Sequence, residues 1–358
     1  MSTESLMRKV LVVVPTLNEV HTIEAVIDSI AVDLPSFTEV TVVVADGGST
    51  DGTLQRVQQM ASHPSTHQSH VDLRMISNPA RIQSAAVNAA VRAYGADADV
   101  LVRCDAHSQY PAAYIRRVIE TLDRTGADSV VVAMNSRGTG CFQKAVAWAS
   151  NAWLGTGGSA HRSGSTSGFV DHGHHAAFRM SAFRRVGGYD ESFSHNEDAE
   201  FDCRQVRSGG KVYLDAAIRI GYQPRRTAIG LARQYFAYGR GRSRTVRRHP
   251  GSMRARQLAL PIHAALCVAS VAGAGQWPWL LFWPLAYLAV LLIASLATAW
   301  RERSPCGLLV GPAAAVMHFC WAAGFLSGLA SIRQQPWTHA AVPPTGACRS
   351  GRGLSRVR

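Results

Sequence analysis

The chain has 358 residues, and its 37 Lys and Arg against 24 Asp and Glu give a net charge of +13. That length allows one large domain or two ordinary ones, and that charge suits either nucleic acid or an anionic membrane surface. Its distribution argues against nucleic acid: eleven arginines and no acidic residue lie between Ala216 and Gln257, directly before the chain turns apolar, as expected of a cytoplasmic flank beside anionic lipids, and no zinc-finger, basic-zipper or RNA-binding signature accompanies them.

Residues 10 to 133 alternate short apolar runs with amphipathic stretches. Val10–Val14 reads as a strand buried on both faces, because its apolar run is continuous rather than alternating. Glu19–Ala31 reads as a helix with Ile23, Val26, Ile27 and Ile30 on one stripe. Val40–Ala45 is a second strand and runs into DGGSTDGT, from Asp46 to Thr53; a helix then reaches about Met60. Val71–Ser77 and Arg81–Tyr94 are the next strand and helix, and Val100–Cys104 is the fourth strand. Pro111–Arg124 follows as a helix with proline in its first turn, where the missing N–H is not needed. Val130–Ala133 closes the series.

Strands and helices in this alternation predict an α/β domain with a mostly parallel sheet. Ligands of such sheets gather beyond the carboxyl ends of the strands. Glu19, Asp46, Asp51 and Asp105 all lie there, an acidic rim suited to a cation or to sugar hydroxyls. LVRCDAHSQYP, from Leu101 to Pro111, adds His107 two positions after Asp105; the pair can aim two ligands at one point, or Asp105 can simply cap the next turn. GTGGSAHRSGSTSGFVDHGHH, from Gly155 to His175, is long for a connection, and such loops are functional or mobile. Its Asp171, His172, His174 and His175 match no standard zinc spacing. Phe178–Asp215 carries turn signals and a short helix from Glu197 to Val206.

The last third is apolar: Leu258–Gly273, Trp277–Ala299 and Gly307–Ile332. Against a requirement of ~20 residues per crossing, the first is short and the others suffice. The first two can form a hairpin turning at Ala274–Gln276. A third full crossing would carry Arg349, Arg352, Arg356 and Arg358 outside, against the positive-inside rule, so either one segment lies in the interface or the rule fails here. The expected organisation is a catalytic domain over 1–225, a basic juxtamembrane region over 226–257, a membrane region over 258–335 and a basic flexible tail over 336–358. Seven cysteines without a CxxC pair suggest neither zinc nor a disulfide framework and fit a reducing compartment. MSTESLMRKVLVVVP lacks a signal-peptide cleavage pattern.

PTLNE (Pro15–Glu19), DGGSTDGT, DAH (Asp105–His107) and NEDAE (Asn196–Glu200) stand in this order at strand ends or a helix start. Together they resemble a family 2 inverting glycosyltransferase of GT-A fold, over about Lys9–Arg256. QYFAYGR (Gln234–Arg240) with His249 and Pro250 is similar to the membrane-associated bacterial subgroup of succinoglycan-type exopolysaccharide glucosyltransferases. The resemblance implies a nucleotide-sugar donor, UDP-linked, held by Pro15, Leu17, Glu19, Asp46, Arg81, Asp105 and Arg240; for Arg240 and the arginines that follow it, contacts with the acceptor's lipid diphosphate are the other reading. It implies Mn2+ or Mg2+ on Asp105 and His107, this chain's form of an Asp-x-Asp motif. It assigns the general base to Asp198, which otherwise reads as a helix cap, and acceptor contacts to Glu197, Glu200 and Asp171. Transfer of a hexose, glucose by default, to a polyprenyl-diphosphate-linked saccharide at the cytoplasmic face of a bacterial inner membrane is the implied function. Glucuronate as the sugar, or a polyprenyl phosphate or other glycolipid as acceptor, is the alternative. Association as a homo-oligomer or with other polysaccharide-assembly proteins is left open.

Overall fold

The computed structural model describes residues 8–32, 39–63, 71–156 and 166–331; the predicted tail and the centre of the Gly/Ser-rich linker lie outside them. An eight-stranded sheet has the order β3-β2-β1-β4-β7-β5-β8-β6. Its strands are β1 (Lys9–Thr16), β2 (Glu39–Asp46), β3 (Val71–Ser77), β4 (Val100–Arg103), β5 (Ser129–Ser136), β6 (Gly168–Val170), β7 (His174–Arg179) and β8 (Val212–Tyr222). Pairs β1–β2, β1–β4, β2–β3 and β5–β8 are parallel, whereas β7 runs antiparallel to both β4 and β5, and β6 antiparallel to β8. The sheet is mostly parallel, as expected, with β7 inserted at its centre.

Alternate residues of the valine runs serve opposite layers. Val10, Val12 and Val14 pack with Ile23, Ile27 and Ile30 of α1 (Ile23–Ala31), Val57 of α2 (Thr53–Ser62) and Ile115, Val118 and Leu122 of α4 (Tyr114–Thr125). Leu11 and Val13 face Val87 and Val91 of α3 (Gln83–Tyr94), with Phe178, Phe183, Tyr189 and Phe201. Both faces are covered, which is why these strands read as continuous apolar runs.

Two predicted helices start later than expected. Residues 19–22 form a turn ahead of α1, and α4 begins at Tyr114. Ala113 sits at φ 56°, a left-handed conformation that interrupts the helix predicted from Pro111. The cysteine expectation is also corrected: Cys141 and Cys306 form a disulfide with Cα atoms 5.0 Å apart. It joins the start of α5 (Cys141–Asn151) to the turn Pro305–Leu309. The short helix α6 (Trp153–Thr156) follows α5, and α7 (Met180–Arg185) and α8 (Glu197–Arg207) flank the loop that carries Tyr189.

The basic region is one 21-residue helix, α9 (Ala228–Arg248), whose N-cap Thr227 accepts the Gly230 N–H. Among the described residues three helices long and apolar enough to cross a membrane follow: α10 (Ala255–Gly273), Pro278–Arg301 containing α11 (Phe282–Arg301), and Pro305–Ser331 containing α12 (Val310–Ser331). Residues 274–276 turn between the first two, as predicted. The third differs from them. It packs along α9, from the cluster of Leu231 with Val310, Ala313 and Met317 to the Arg247 bond to the Gly328 carbonyl, 3.0 Å.

Glycines permit that approach. A Cβ at Gly324 would run into the Phe236 carbonyl, and one at Gly239 into that of Trp321. Gly324→Ala is therefore expected to lower the thermal midpoint of the detergent-solubilised protein, by the ~1–3 kcal/mol that overpacking costs. Gly275→Ala, whose Cβ meets nothing within 4 Å, is the control that should leave the midpoint unchanged.

Candidate active site

The rim beyond the strand ends is assembled as the strand pattern predicts. Asp46, at the end of β2, is buried and accepts bonds from the backbone of Gly48 (2.8 Å) and Ser49 (3.0 Å). It thereby shapes the turn, where Gly48 takes φ 87°, a conformation that favours glycine. A Cβ at Gly47 would lie 3.4 Å from Leu17 and 3.6 Å from the Arg81 Cα, and one at Gly48 3.4 Å from the Arg81 guanidinium. Leu17, Asp46 and Arg81 thus converge on one surface. Pro15 pairs with Ala45 beneath it. Glu19 bonds His107 Nδ1 at 3.0 Å.

A second cluster forms around Arg103, whose side chain is buried at the end of β4. Its Nη1 lies 2.6 Å from Asp198 Oδ1 and 3.7 Å from Glu197, its Nε 3.7 Å from Asp105, and its Nη2 bonds Gln83 at 2.8 Å. Asp105 in turn has His174 Nε2 3.5 Å away. Glu197 and Asp198 open α8, where carboxylates favour the helix N-terminus; the N-cap is Asn196 and makes no side-chain cap bond. Asp198 therefore does not cap the helix. Its Oδ1 gathers Arg103, His175 Nδ1 (3.1 Å) and the Tyr189 hydroxyl (3.3 Å). Its Oδ2 takes no hydrogen bond from the described residues, and the side chain keeps 14% of its exposure.

Burial opposes the charge on Asp198, but the Arg103 guanidinium and His175 outweigh it and hold the carboxyl well below its usual range. Neighbouring Glu197 goes the other way: burial and the Asp198 charge push it up to about 7. Two adjacent carboxyls are thus separated by environment into a stable anion and a group that readily holds a proton. Asp105 is likewise lowered, with burial opposed by Arg103, His174 and His107.

A buried, charge-stabilised carboxylate and a loop surface thus lie together beyond the carboxyl ends of the strands, where parallel sheets bind ligands, and sequence comparison shows which family the chain joins. The family description "Glycosyl transferase family 2" matches residues 11–187. The succinoglycan biosynthesis protein ExoA of Rhizobium meliloti is 43% identical over 328 residues, covering 91% of this chain and 96% of that protein. The chain belongs to glycosyl transferase family 2. A similar solved structure is the mannosyltransferase PcManGT from Pyrobaculum calidifontis in complex with GDP-Man and Mn2+, at a TM-score of 0.58 and 20% identity over 92% of this chain and 89% of that one; this likeness concerns the fold, which is GT-A.

Within this family 2 glycosyltransferase the site residues expected from sequence divide. Leu17, Asp46 and Arg81 come together, as do Asp105, Glu197 and Asp198 around Arg103. His107 bonds Glu19. Asp171 is exposed and ion-paired with Arg254, and among the described residues no hydrogen bond joins it to Asp198. Glu200 is a correction. Its side chain is 0% exposed and is held by Arg204 (2.8 Å), His249 (3.1 Å) and Arg248 (3.6 Å). Burial would raise it, yet the His249 and Arg204 hydrogen bonds bring it down to about 2. It fastens α8 to α9 and offers nothing to an acceptor.

The arginines of α9 divide as well. Arg242 bonds Gln257 (3.0 Å), Arg244 bonds the Ser192 carbonyl (2.6 Å) and covers Phe193, and Arg248 pairs with Asp190. The Arg240 guanidinium makes no hydrogen bond or ion pair among the described residues; it lines a groove of about 390 Å³ with Ser194, His195, Phe236 and Arg244. Sequence reasoning missed Arg103, Tyr189 and Asp202. The signal for Arg103 was present, as an arginine inside an otherwise apolar strand. His175 was noticed as part of a histidine cluster, yet it is buried on β7 among Phe178, Tyr189 and Phe201.

Proposed function

We propose that the chain transfers a hexose, glucose by resemblance, from a UDP-linked donor to a polyprenyl-diphosphate-linked saccharide in exopolysaccharide assembly, at the cytoplasmic face of a bacterial inner membrane. The observation that carries the reading is Asp198: an ionised carboxylate with one oxygen clamped by Arg103 and the other unpartnered among the described residues. Inversion needs a base opposite the leaving group, and Asp198 Oδ2 would take the acceptor hydroxyl's proton. The surface of Leu17, Asp46 and Arg81 would hold the nucleoside.

The donor chemistry fits a divalent ion. Asp105 offers a carboxylate and His107 an imidazole, a set that manganese accepts. No three His, Cys, Asp or Glu among the described residues could hold an ion by themselves, so the donor diphosphate would complete the shell. When bound, the ion would stabilise charge on the departing nucleoside diphosphate.

The relation to ExoA supports the pathway, and the helices support the membrane. The hairpin of α10 and α11 would anchor the chain. α12 lies along a helix that carries Arg233, Arg240, Arg242, Arg244, Arg247 and Arg248, charges that are costly in hydrocarbon. An interfacial α12 would spare the chain a third full crossing, the step that conflicts with the positive-inside rule. Arg240 lines a groove with Ser194 and His195 of the loop that leads into α8, and there it would meet an acceptor's diphosphate.

The test is turnover of a panel of UDP- and GDP-sugars by detergent-solubilised protein with manganese and a lipid-diphosphate saccharide. Acceptor-dependent release of UDP from one donor supports the reading; release that ignores the acceptor sinks the acceptor assignment. In the same assay Arg240→Ala should raise the acceptor's KM about tenfold, the loss of one charge-assisted contact worth ~1.5 kcal/mol, with the donor's KM unchanged.

A further inference from the structure

We propose that His175, backed by Asp202, is a positioning residue for the proton acceptor: it holds Asp198 by Oδ1 and so reserves Oδ2 for the acceptor hydroxyl. The inference rests on the reading of Asp198 as the base.

Both ring nitrogens of His175 meet carboxylates. Nδ1 lies 3.1 Å from Asp198 Oδ1 and 2.6 Å from the Tyr189 hydroxyl, and Nε2 lies 2.8 Å from Asp202 Oδ1. Asp198 and Asp202 are four residues apart on α8 and share one face of the helix, so a single imidazole on the facing strand β7 spans them. The two acids are not equivalent. Asp202 is fully buried, and its Oδ2 is also engaged, by His172 Nδ1 at 2.9 Å and the Gly173 N–H at 3.4 Å. Asp198 meets its partners among the described residues through Oδ1. Asp202 is thus the anchored end of the line and Asp198 the working end.

A staple between strand and helix needs one of these contacts, not both. Nδ1 makes its hydrogen bond with the Tyr189 hydroxyl, which in turn donates to Asp198 Oδ1; an imidazole with a carboxylate against each nitrogen is favoured with both protons, and that form places a positive charge against Asp198. The surroundings maintain it: burial would lower the His175 pKa, but Asp202 and Asp198 raise it to about 10. Arg103 from β4, Asp105 just beyond it, Tyr189 from the α7–α8 loop, Glu197 from α8 and His174 from β7 are the other titratable or charged groups facing Asp198. With Oδ1 held from both sides, the carboxylate cannot rotate to exchange its oxygens, and the orientation on which proton transfer depends is set before the acceptor arrives.

The experiment compares His175→Gln, Asp202→Asn, the double variant and Asp198→Asn in detergent, with the donor and acceptor that give turnover. His175→Gln and Asp202→Asn should each lower kcat about ten- to a hundredfold, the scale of a small misplacement at a reacting centre. The donor's KM should be unchanged, and the double variant should be no worse than the weaker single one, because the two residues act as a unit. His175→Gln should also move the acid limb of kcat/KM to higher pH, since a cation beside Asp198 is lost. A purely structural pair would lower the thermal midpoint while folded protein, counted by donor binding, kept wild-type kcat and an unmoved acid limb; that result overturns the proposal. If His175→Gln does not fold, Asp202→Asn decides, because Asn keeps the geometry and removes the charge that holds the second proton on the ring; wild-type kcat in it overturns the proposal as well. Full activity in Asp198→Asn would instead remove the base assignment itself.

Discussion

Asp198→Asn is expected to lower kcat by about 10²–10⁴-fold, the range for loss of a general base, with donor affinity retained. Asn has nearly the shape of Asp and can still offer a carbonyl oxygen to Arg103 and His175, which lie 2.6 and 3.1 Å from Oδ1. The amide nitrogen then occupies the place of Oδ2, where it can only donate a proton. The variant should bind donor because Leu17, Asp46 and Arg81 are untouched, and this separates loss of chemistry from loss of the site. Some stability should also go, since Arg103 and His175 lose a counter-charge. Calorimetric titration with the nucleoside diphosphate and single-turnover measurement of sugar transfer check both halves. Wild-type kcat would remove Asp198 from the mechanism; lost donor affinity would make its role one of holding the site together.

The parts of this site that were legible in the sequence are those carried by local pattern. Unbroken valine runs marked β1 and β2, and the acidic residues just beyond them fell on the rim because parallel strands all point their carboxyl ends the same way. What escaped depended on packing between distant segments. HHAAFR does not look like a strand, with two histidines and two alanines, yet β7 is held between β4 and β5, and burial on both sides overrides its weak propensity. The same insertion carries His175 to Asp198. Glu200 was misassigned because it is close to Asp198 in sequence. At ~100° per residue, a position two further along a helix points almost to the opposite side, toward Arg204 and His249, whereas Asp202 at four returns to the Asp198 face. The Cys141–Cys306 bridge spans 165 residues, and no local spacing announces it.

Arg103→Met should have the largest effect on stability and should change its dependence on pH. The guanidinium is the cation common to Asp198, Glu197 and Asp105, with 3% of its side chain exposed. Removing one partner of a buried ion pair costs about 3–5 kcal/mol, and here three carboxyls lose it together. Asp198 and Asp105 are held low in the native protein in spite of burial, with Arg103 the largest favourable influence on each. Their contribution is present above the ordinary Asp value and is lost as pH falls through their lowered native values. Glu197, at about 7, acts in the opposite sense: native protein binds its proton more tightly than unfolded chain does, so stability declines as pH rises from about 4.5 towards 7. Without Arg103 each carboxyl titrates higher than in the native protein, although His175 and His174 still favour the Asp198 charge and His174 and His107 that of Asp105. Glu197 is carried further above its unfolded value, and its decline of up to ~1.4 kcal/mol per pH unit then extends beyond pH 7. The variant should therefore be much less stable at pH 8 and should recover part of the loss at pH 5, so that the two curves of thermal midpoint against pH converge on acidification. Parallel curves would mean that Arg103 contributes packing rather than charge. The Gln83 bond offers an internal check: Gln83→Leu removes a neutral partner of the same guanidinium, 2.8 Å away, and a donor to Asp105 Oδ1 at 3.2 Å, and should lower the midpoint with a much smaller change of slope than Arg103→Met, because the cation remains among its carboxylates.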